Sequence, residues 1–295
     1  MSAKPATVGA AVEDAAKRFE AAGLTYGHGT SNAFDDAAFL VLETLRQPPD
    51  SLKKNWKKRL GDAERASVEK TVAARIESRK PSSYIVNRAW IQGIPFYVDE
   101  RVIIPRSFIG EILFRDGGFS PPGFPAEIKT VLDLCTGSGC LAILAAHIFP
   151  KARVDAVDLS PDALAVAARN VKDSGFTDRI TLHQGDLFSP LAGKRYDLII
   201  TNPPYVDAQG MNSLPPEFSA EPALALDGGA DGLDLVRKII DQAPAYMTER
   251  SGMLCEIGRG RDNLEKAFPR LPFLWIDTAE SSGEVFWIAR KKMEE

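Results

Sequence analysis

The sequence is poor in cysteine and has no long hydrophobic run. Its 295 residues include three cysteines, too few for the disulfide framework of a small secreted domain. Cys135 and Cys140 lack the CxxC spacing of metal and redox sites, so we predict no metal site. With Cys255, they are expected to be buried, reduced thiols. No apolar stretch approaches the roughly 20 residues that span a bilayer, so we expect no membrane-spanning helix.

A secretory signal and an excess of positive charge are also missing. Acidic residues appear early in the N-terminal segment, and no basic stretch precedes an apolar one, so we expect a cytoplasmic protein. The chain has 36 Lys and Arg against 40 Asp and Glu, a net charge of −4, which argues against a broad phosphate-binding face. One basic cluster is either a solvated helix face or a local groove: Lys53, Lys54, Lys57, Lys58 and Arg59.

The length of the chain allows an α/β core and a smaller second unit. Helical patterns occupy the first part, over 8–22, 32–45 and 63–80. From Ala89, the segment AWIQGIPFYVDERVII is typical of a hairpin, and a stretch rich in Gly and Pro then breaks regular structure. We predict three parts: a helical domain over 1–88, a hairpin and linker over 89–125, and an α/β domain over 126–295.

From Thr130 onward, apolar runs alternate with helical patterns, which indicates βαβ units and a mostly parallel sheet. Strands are predicted over 130–134, 153–158, 180–184, 196–201, 253–257, 273–277 and 285–289. The clearest helix has Ser160 as N-cap, Pro161 at its first position and Gly175 just past its end. The last two strands are joined too tightly for a parallel crossover, so we expect an antiparallel hairpin.

A glycine-rich turn after the first of these strands predicts a nucleoside site. The turn contains Asp133, Cys135, Thr136, Gly137, Ser138, Gly139 and Ala142. Glycine leaves room for a cofactor to lie against the backbone. Asp158 ends the next strand, where a carboxylate can accept hydrogen bonds from two ribose hydroxyls, and Asp186 is suitably placed to border an adenine. On these residues alone, a dinucleotide-dependent enzyme fits equally well.

The decisive segment is Asn202-Pro203-Pro204-Tyr205, directly after the apolar strand YDLIIT. An amide or aromatic amine is a poor nucleophile because its lone pair is delocalised. The Asn202 side-chain oxygen and the Pro203 carbonyl are two acceptors that can bind both N–H bonds and aim that pair. The prolines stiffen the loop, and Tyr205 can pack against the planar group. No general base is evident, and none is required if the proton leaves after transfer.

These motifs resemble those of class I methyltransferases and, within them, the glutamine methyltransferases of translation proteins. DLCTGSGCLAI is similar to the family's cofactor loop, SPDALAVAARN to its ribose-binding segment and NPPYV to its amide-binding tetrad. The stretch from Glu221 to Leu233 is similar to a further family segment, and Arg101 to Arg106 to a lid. The resemblance covers nearly the whole chain. It implies a Rossmann-like sheet, a helical N-terminal substrate-recognition domain and S-adenosylmethionine as cofactor.

The resemblance also implies roles for individual residues. The cofactor-binding residues would be Asp133, Thr136, Gly137, Ser138, Gly139, Asp158, Leu159, Asp186, Leu187 and Asn202. The catalytic residues would be Asn202, Pro203, Pro204 and Tyr205. Pro105 and Arg106 would belong to the lid or contact the substrate.

Two branches of the family are alternatives. The release-factor branch continues its lid as Pro-Arg-Pro-Glu-Thr-Glu and has glycine before Thr-Gly, whereas this chain has Ser107-Phe108 after Arg106, and Cys135. These features favour the branch that methylates a glutamine of the large-subunit ribosomal protein numbered three. Phe108 stands where that branch is expected to have proline, which leaves the local shape of the lid open. If the acceptor is partly assembled, the basic cluster around Lys57 would contact ribosomal RNA.

Three other functions fit the sequence less well. An exocyclic-amine methyltransferase of DNA or RNA must extract its base, which calls for a basic channel and stacking aromatics that this acidic chain offers little of. A nicotinamide-dependent dehydrogenase would need a hydride-transfer partner, but His147 lies in an apolar helix and His183 in a strand, so both are expected to be structural. A binding module without catalysis does not account for a cofactor site together with the tetrad.

Overall fold

The structure is a computed structural model that describes residues 6–115 and 118–293. Parts of three predictions fall outside these ranges: residues 1–5 of the N-terminal segment, Asp116 and Gly117 of the Gly- and Pro-rich stretch, and residues 294–295 of the α/β domain. The chain divides into two compact units. The first contains Met1–Trp90, Val98–Glu100 and Leu214–Ala220, and the second contains Ile91–Tyr97, Arg101–Ser213 and Glu221–Glu295.

The first unit is helical. Its helices are α1 (Val8–Ala21), α2 (Ala33–Thr44), α3 (Leu52–Asn55), α4 (Asp62–Ser78) and α5 (Ser82–Val86). Thr7 and Asn32 begin α1 and α2, because each side chain accepts a backbone N–H of the first turn that would otherwise lack a partner. The three helices predicted here are confirmed. Their apolar faces form one buried cluster that includes Phe19, Leu40 and Val72.

An ion pair is buried within the helical unit. Arg75 of α4 donates from Nε to Asp36 Oδ2 of α2 at 3.0 Å, and the two side chains are 1% and 5% exposed. A second guanidinium nitrogen of Arg75 donates to the Thr25 carbonyl at 3.2 Å. The charges are therefore paired and hydrogen-bonded, the condition under which burying them is tolerated.

The remaining elements follow α5 in the chain. Two short strands, β1 (Ala89–Ile91) and β2 (Ile94–Phe96), pair in a two-stranded sheet, which confirms the predicted hairpin. The helices are α6 (Phe108–Phe114), α7 (Cys140–Ile148), α8 (Pro161–Asp173), α9 (Ala208–Ser213), α10 (Asp234–Gln242), α11 (Arg261–Ala267) and α12 (Arg290–Met293). The strands are β3 (Thr130–Leu134), β4 (Arg153–Asp158), β5 (Ile180–Gln184), β6 (Tyr196–Thr201), β7 (Met247–Glu256), β8 (Leu274–Ile276) and β9 (Val285–Ala289).

The large sheet has seven strands in the order β5-β4-β3-β6-β7-β9-β8. Strands β3 to β7 are parallel, whereas β9 runs antiparallel to both β7 and β8. This arrangement confirms the α/β class and the C-terminal antiparallel hairpin. The predicted start of β7 was wrong, because the strand begins at Met247, which pairs with Tyr196. The residues directly after Met247 are polar, so this part of the strand has no apolar pattern in the sequence.

Both faces of the sheet are covered, and this accounts for the continuous apolar strands. In β3, Val131 belongs to the core on one face and Leu132 and Leu134 to the core on the other. The prediction of buried thiols holds for Cys140 and Cys255, but Cys135 is half-buried because it lies beyond β3, in the turn, with a φ of +58°. Across the described ranges, no helix is long and apolar enough to cross a membrane.

Candidate active site

The glycine turn and the tetrad start from neighbouring strand ends. β3 and β6 lie side by side in parallel, with Leu134 opposite Thr201. The Thr201 hydroxyl donates to the Leu134 carbonyl at 2.9 Å, so the two ends are tied. From β3 the strand order runs outward in both directions, and the carboxyl ends at such a point form the crevice in which open α/β sheets bind ligands.

Asp133 shapes the glycine turn from below. Its Oδ2 accepts hydrogen bonds from the Thr136 hydroxyl at 2.5 Å and from the Ala142 N–H at 2.9 Å. Its Oδ1 is buried and has no hydrogen-bond partner among the described residues. Burial raises the pKa of Asp133 to about 7. Because an unsatisfied buried oxygen is costly, this position fits a site where a bound group supplies a donor.

The two glycines of the turn have different roles. Both have a positive φ, +54° at Gly137 and +79° at Gly139, which side chains rarely adopt. A Cβ on Gly139 would lie 3.2 Å from the Cβ of Ala167, so glycine there lets the turn approach α8. A Cβ on Gly137 would meet, among residues 6–115 and 118–293, only Ile103 at 3.9 Å. The surface above Gly137 is therefore open enough for a cofactor to lie against the backbone.

Asp158 joins the end of β4 to the same turn. Its Oδ2 accepts the Gly137 N–H at 2.8 Å, and its Oδ1 accepts the Ser160 N–H at 2.9 Å. Burial raises the pKa of this carboxyl, although these backbone donors oppose the shift. Each oxygen keeps a further lone pair, which a ribose hydroxyl can use. The adjacent Leu159 is apolar and 52% exposed, as a surface that receives a flat ring requires.

The other expected cofactor residues lie in different environments. The carbonyl of Ser138 accepts a hydrogen bond from the Asn170 side chain at 2.8 Å, so Ser138, like Thr136, takes part in holding the turn. Asp186 is exposed after β5. Leu187 has a φ of +47° and a side chain buried in the core, so only its main chain can face a ligand.

The tetrad presents two free acceptors. Asn202 is half-buried, and Pro203 and Pro204 are buried. Within residues 6–115 and 118–293, nothing hydrogen-bonds to the Asn202 side chain or to the Pro203 carbonyl. The Asn202 side-chain oxygen and the Pro203 carbonyl are therefore available, at the end of β6, to accept hydrogen bonds from an external donor.

Tyr205 is held on several sides. Its hydroxyl donates to Glu256 Oε1 at 3.1 Å, and a Cβ on Gly258 would come within 2.7 Å of its ring. Burial, and then the charge of Glu256, raise the pKa of Tyr205 well above its ordinary value. A Cβ on Gly228 would lie 2.7 Å from the Tyr205 Cα. Glycines in the segment 221–233 thus let it support the tetrad from behind.

The segment that the resemblance predicts to be a lid, around Arg106, is fixed by a paired carboxylate. Arg106 donates through two nitrogens to Glu221, at 2.5 and 2.7 Å. Glu221 Oε1 also accepts the Ile104 N–H at 3.0 Å, on the other side of the buried Pro105. The Arg106 charge is therefore used within the protein to hold this segment.

The contacts of Phe108 explain why this position does not have the expected proline. It is the first residue of α6, which Ser107 caps by accepting the Ile109 N–H at 3.2 Å. The Phe108 N–H donates to Glu256 Oε2 at 2.9 Å. Proline has no N–H and could not make this bond.

The roles of two buried glutamates, Glu221 and Glu256, were not foreseen. Glu256 ends β7 and is 1% exposed, and burial raises its pKa to about 7. A signal was present, since a carboxylate that ends an apolar strand at the carboxyl edge is the pattern that singled out Asp158. Glu221 lies in a loop and carries no such signal.

Comparisons with known proteins cover most of the chain. Residues 123–231 match the family model described as "Methyltransferase small domain". The chain is 55% identical over 282 residues to a ribosomal protein uL3 glutamine methyltransferase of Bradyrhizobium diazoefficiens, covering 94% of this chain and 88% of that one. A relative of the same name from Bordetella pertussis is 49% identical, with 95% and 93% covered. The crystal structure of a Pyrococcus furiosus methyltransferase shares the fold, with a TM-score of 0.50, 13% identity and coverage of 74% and 97%.

Proposed function

Because the chain belongs to the family of ribosomal protein uL3 glutamine methyltransferases, we propose that it methylates the side-chain amide nitrogen of a glutamine in uL3. The relatives confirm the predicted family, its ribosomal-protein branch and an S-adenosylmethionine-dependent methyltransferase activity. The observation that carries the substrate chemistry is the pair of unpaired acceptors on Asn202 and Pro203, next to the glycine turn.

The glycine turn supports a role in holding S-adenosylmethionine, which supplies an electrophilic methyl group on a sulfonium sulfur when bound. The main chain at Gly137 would lie against the cofactor, and Asp158 would accept from its ribose hydroxyls. The unpaired oxygen of Asp133 would accept from its ammonium group. Leu159 would pack against the adenine, and Asp186 would border it. Asp158 also braces the turn, so the cofactor would meet a preorganised surface.

The tetrad supports a role in orienting the acceptor amide. Asn202 Oδ1 and the Pro203 carbonyl would each accept one N–H of the glutamine side chain, fixing the plane of the amide and the direction of its lone pair. Prolines 203 and 204 limit the motion of these acceptors. Tyr205 stays neutral at physiological pH and its hydroxyl is engaged, so it is no base. The methylated nitrogen is strongly acidic and can release its proton to water.

The proposal also gives each domain a role in recognising or methylating the protein substrate. Residues 1–88 would recognise uL3 and residues 126–295 would carry out transfer, in the cytoplasm where ribosomal proteins assemble.

The exposed basic cluster would contact ribosomal RNA when uL3 is partly assembled. In support, a cavity of about 490 Å³ is lined by Leu52, Lys53, Lys54, Trp56 and Lys57. If so, Lys54→Glu combined with Lys57→Glu lowers methylation of uL3 in assembly particles but not of free uL3; equal rates on both would contradict the contact.

The decisive experiment measures transfer of labelled methyl to purified uL3 and, separately, to a peptide release factor, with mass mapping of the product. The Asn202→Ala variant serves as the matched control for transfer at this site. Label on a uL3 glutamine is the expected result. Label on the release factor alone would keep the chemistry and overturn the substrate, and label on neither would overturn the proposal.

A further inference from the structure

One buried carboxylate connects the lid to the tetrad. Glu256 Oε2 accepts the Ser107 hydroxyl at 2.7 Å and the Phe108 N–H at 2.9 Å, both at the start of α6. Its other oxygen, Oε1, accepts the Tyr205 hydroxyl at 3.1 Å. Residues from three separate parts of the chain are thus tied together through a side chain that is 1% exposed.

We propose that Glu256 is a positioning residue for methyl transfer, which anchors Tyr205 to the start of α6 and thereby holds the acceptors of Asn202 and Pro203 in the geometry that orients the amide. The proposal rests on the proposed function, because the acceptors matter only if an amide binds there.

The tetrad needs an anchor at its downstream end. Its upstream end is fixed because Thr201 still belongs to β6 and bonds to Leu134. The prolines fix φ, and Pro204 also restricts the ψ of Pro203, so the loop moves as a stiff unit and the position of the Pro203 carbonyl depends on where Tyr205 is held. Gly258 allows the ring to lie close to the backbone, and Glu256 fixes the tip of the ring. A displacement of about 1 Å in such a loop can cost on the order of 100-fold in rate.

The contacts of Glu256 identify it as an anchor rather than a base. Both of its oxygens are directed at donors of the protein, and the side chain is 1% exposed, so Glu256 does not face a bound substrate. Burying a carboxylate is costly, and apolar side chains fill core space as well. A group that accepts from a hydroxyl, an amide and a phenol at once does what an apolar side chain cannot.

The test compares Glu256→Ala, Glu256→Gln and Tyr205→Phe. In Glu256→Gln, the amide oxygen can accept from Ser107 and Phe108, and the NH2 group can donate to the Tyr205 oxygen, so the anchor is kept. We expect Glu256→Ala to lower kcat by about 10- to 100-fold with the cofactor Kd within about twofold, and Glu256→Gln to restore most of kcat. Combining Glu256→Ala with Tyr205→Phe should cost little more than either change alone.

A matched control replaces another carboxylate that accepts several hydrogen bonds. Asp197 accepts from the Lys129 N–H, from the N–H and hydroxyl of Thr130, and from the Thr248 hydroxyl, at the opposite ends of β3 and β6. Asp197→Ala is expected to lower the melting temperature as Glu256→Ala does, but to leave kcat within about twofold of wild type. Equal loss of kcat in both variants would mean that Glu256 is only structural.

Hydrogen exchange separates failure of this proposal from failure of the proposed function. The Tyr205 and Val206 amides should exchange faster in Glu256→Ala than in wild type, and at the wild-type rate in Glu256→Gln. Unchanged exchange in Glu256→Ala, or a kcat at the wild-type level, would overturn the anchor. If wild type leaves uL3 unlabelled, the proposed function fails, while exchange still decides the role of Glu256.

Discussion

The Gly137 N–H donates to Asp158 Oδ2 at 2.8 Å, so the carboxylate that ends β4 also fixes the turn that follows β3. The same carboxylate caps the approach to α8 by accepting the Ser160 N–H. Asp158 therefore prepares the turn before any ligand arrives, and a ribose would meet a carboxyl group already held in place by two backbone donors. Cofactor affinity should depend on both contributions.

Replacing Asp158 tests this double role. Asp158→Ala removes the proposed ribose acceptor and the bond to Gly137, so we expect the Kd for S-adenosylmethionine to rise by about 30-fold or more, since charge-assisted bonds contribute roughly 1.5–3 kcal/mol. Asp158→Asn keeps one acceptor oxygen and should fall between wild type and Ala. Isothermal titration calorimetry measures the affinities. An unchanged Kd in Asp158→Ala would contradict the ribose assignment.

Replacing Asn202 should affect turnover instead. Asn202→Ala leaves the glycine turn untouched and removes one of the two acceptors for the amide, so we expect kcat to fall by about 100-fold or more with the cofactor Kd within about twofold. Single-turnover transfer to uL3 gives the rate, and calorimetry the affinity. A parallel loss of cofactor binding would move Asn202 from the acceptor site to the cofactor site.

Gly258 should tolerate no side chain. Its φ is +52°, and a Cβ would lie 2.7 Å from the Tyr205 ring, so Gly258→Ala is expected to cost about 1–3 kcal/mol of unfolding free energy and to lower kcat by displacing that ring. Gly175→Ala is the matched control, because Gly175 has a φ of +76° and a Cβ there would have no described atom beyond its chain neighbours within 4 Å. Urea unfolding and initial rates check both variants. Equal effects at the two glycines would mean that backbone strain alone is responsible.

Strands, helices and the residues at strand ends could be predicted from local patterns in the sequence. Side-chain contacts between residues that are far apart in the chain could not. Asp158 and the tetrad were identified because strand ends in parallel sheets gather at one edge, and a strand is visible as an apolar run. The pairing of Arg106 with Glu221 joins loops far apart in the chain, and no periodicity connects them. Tyr205 was predicted to pack against the planar group of the acceptor, and the bond from its hydroxyl to Glu256 is a further contact that sequence spacing cannot reveal.

The buried pair in the helical unit should dominate its stability. Asp36→Ala removes the carboxylate that is hydrogen-bonded to the buried Arg75 guanidinium, and breaking such a pair costs about 3–5 kcal/mol. Glu69→Ala is the control, because its pair with Arg18 is 59% and 33% exposed and such pairs contribute about 0–1 kcal/mol. Chemical denaturation followed by circular dichroism measures both. Similar losses in the two variants would show that burial does not set the cost here.

Asp133 should make the stability of the cofactor-free protein depend on pH. Burial raises its pKa from the ordinary value of 3.8 to about 7, so the folded state holds a proton that the unfolded state releases. This contribution is complete below about pH 4 and is lost as the pH rises through about 7. At about 1.4 kcal/mol per pH unit, the loss across that window is on the order of 4 kcal/mol.

Asp133→Asn removes this titration. The difference in unfolding free energy between wild type and Asp133→Asn should therefore fall from pH 4 to pH 7 and level off above it, as urea unfolding at several pH values would measure. Glu256, whose pKa is also raised to about 7, titrates in both proteins and cancels from the difference. A difference that stays constant with pH would mean that Asp133 remains ionised in the fold, held so by its bonds to Thr136 and Ala142.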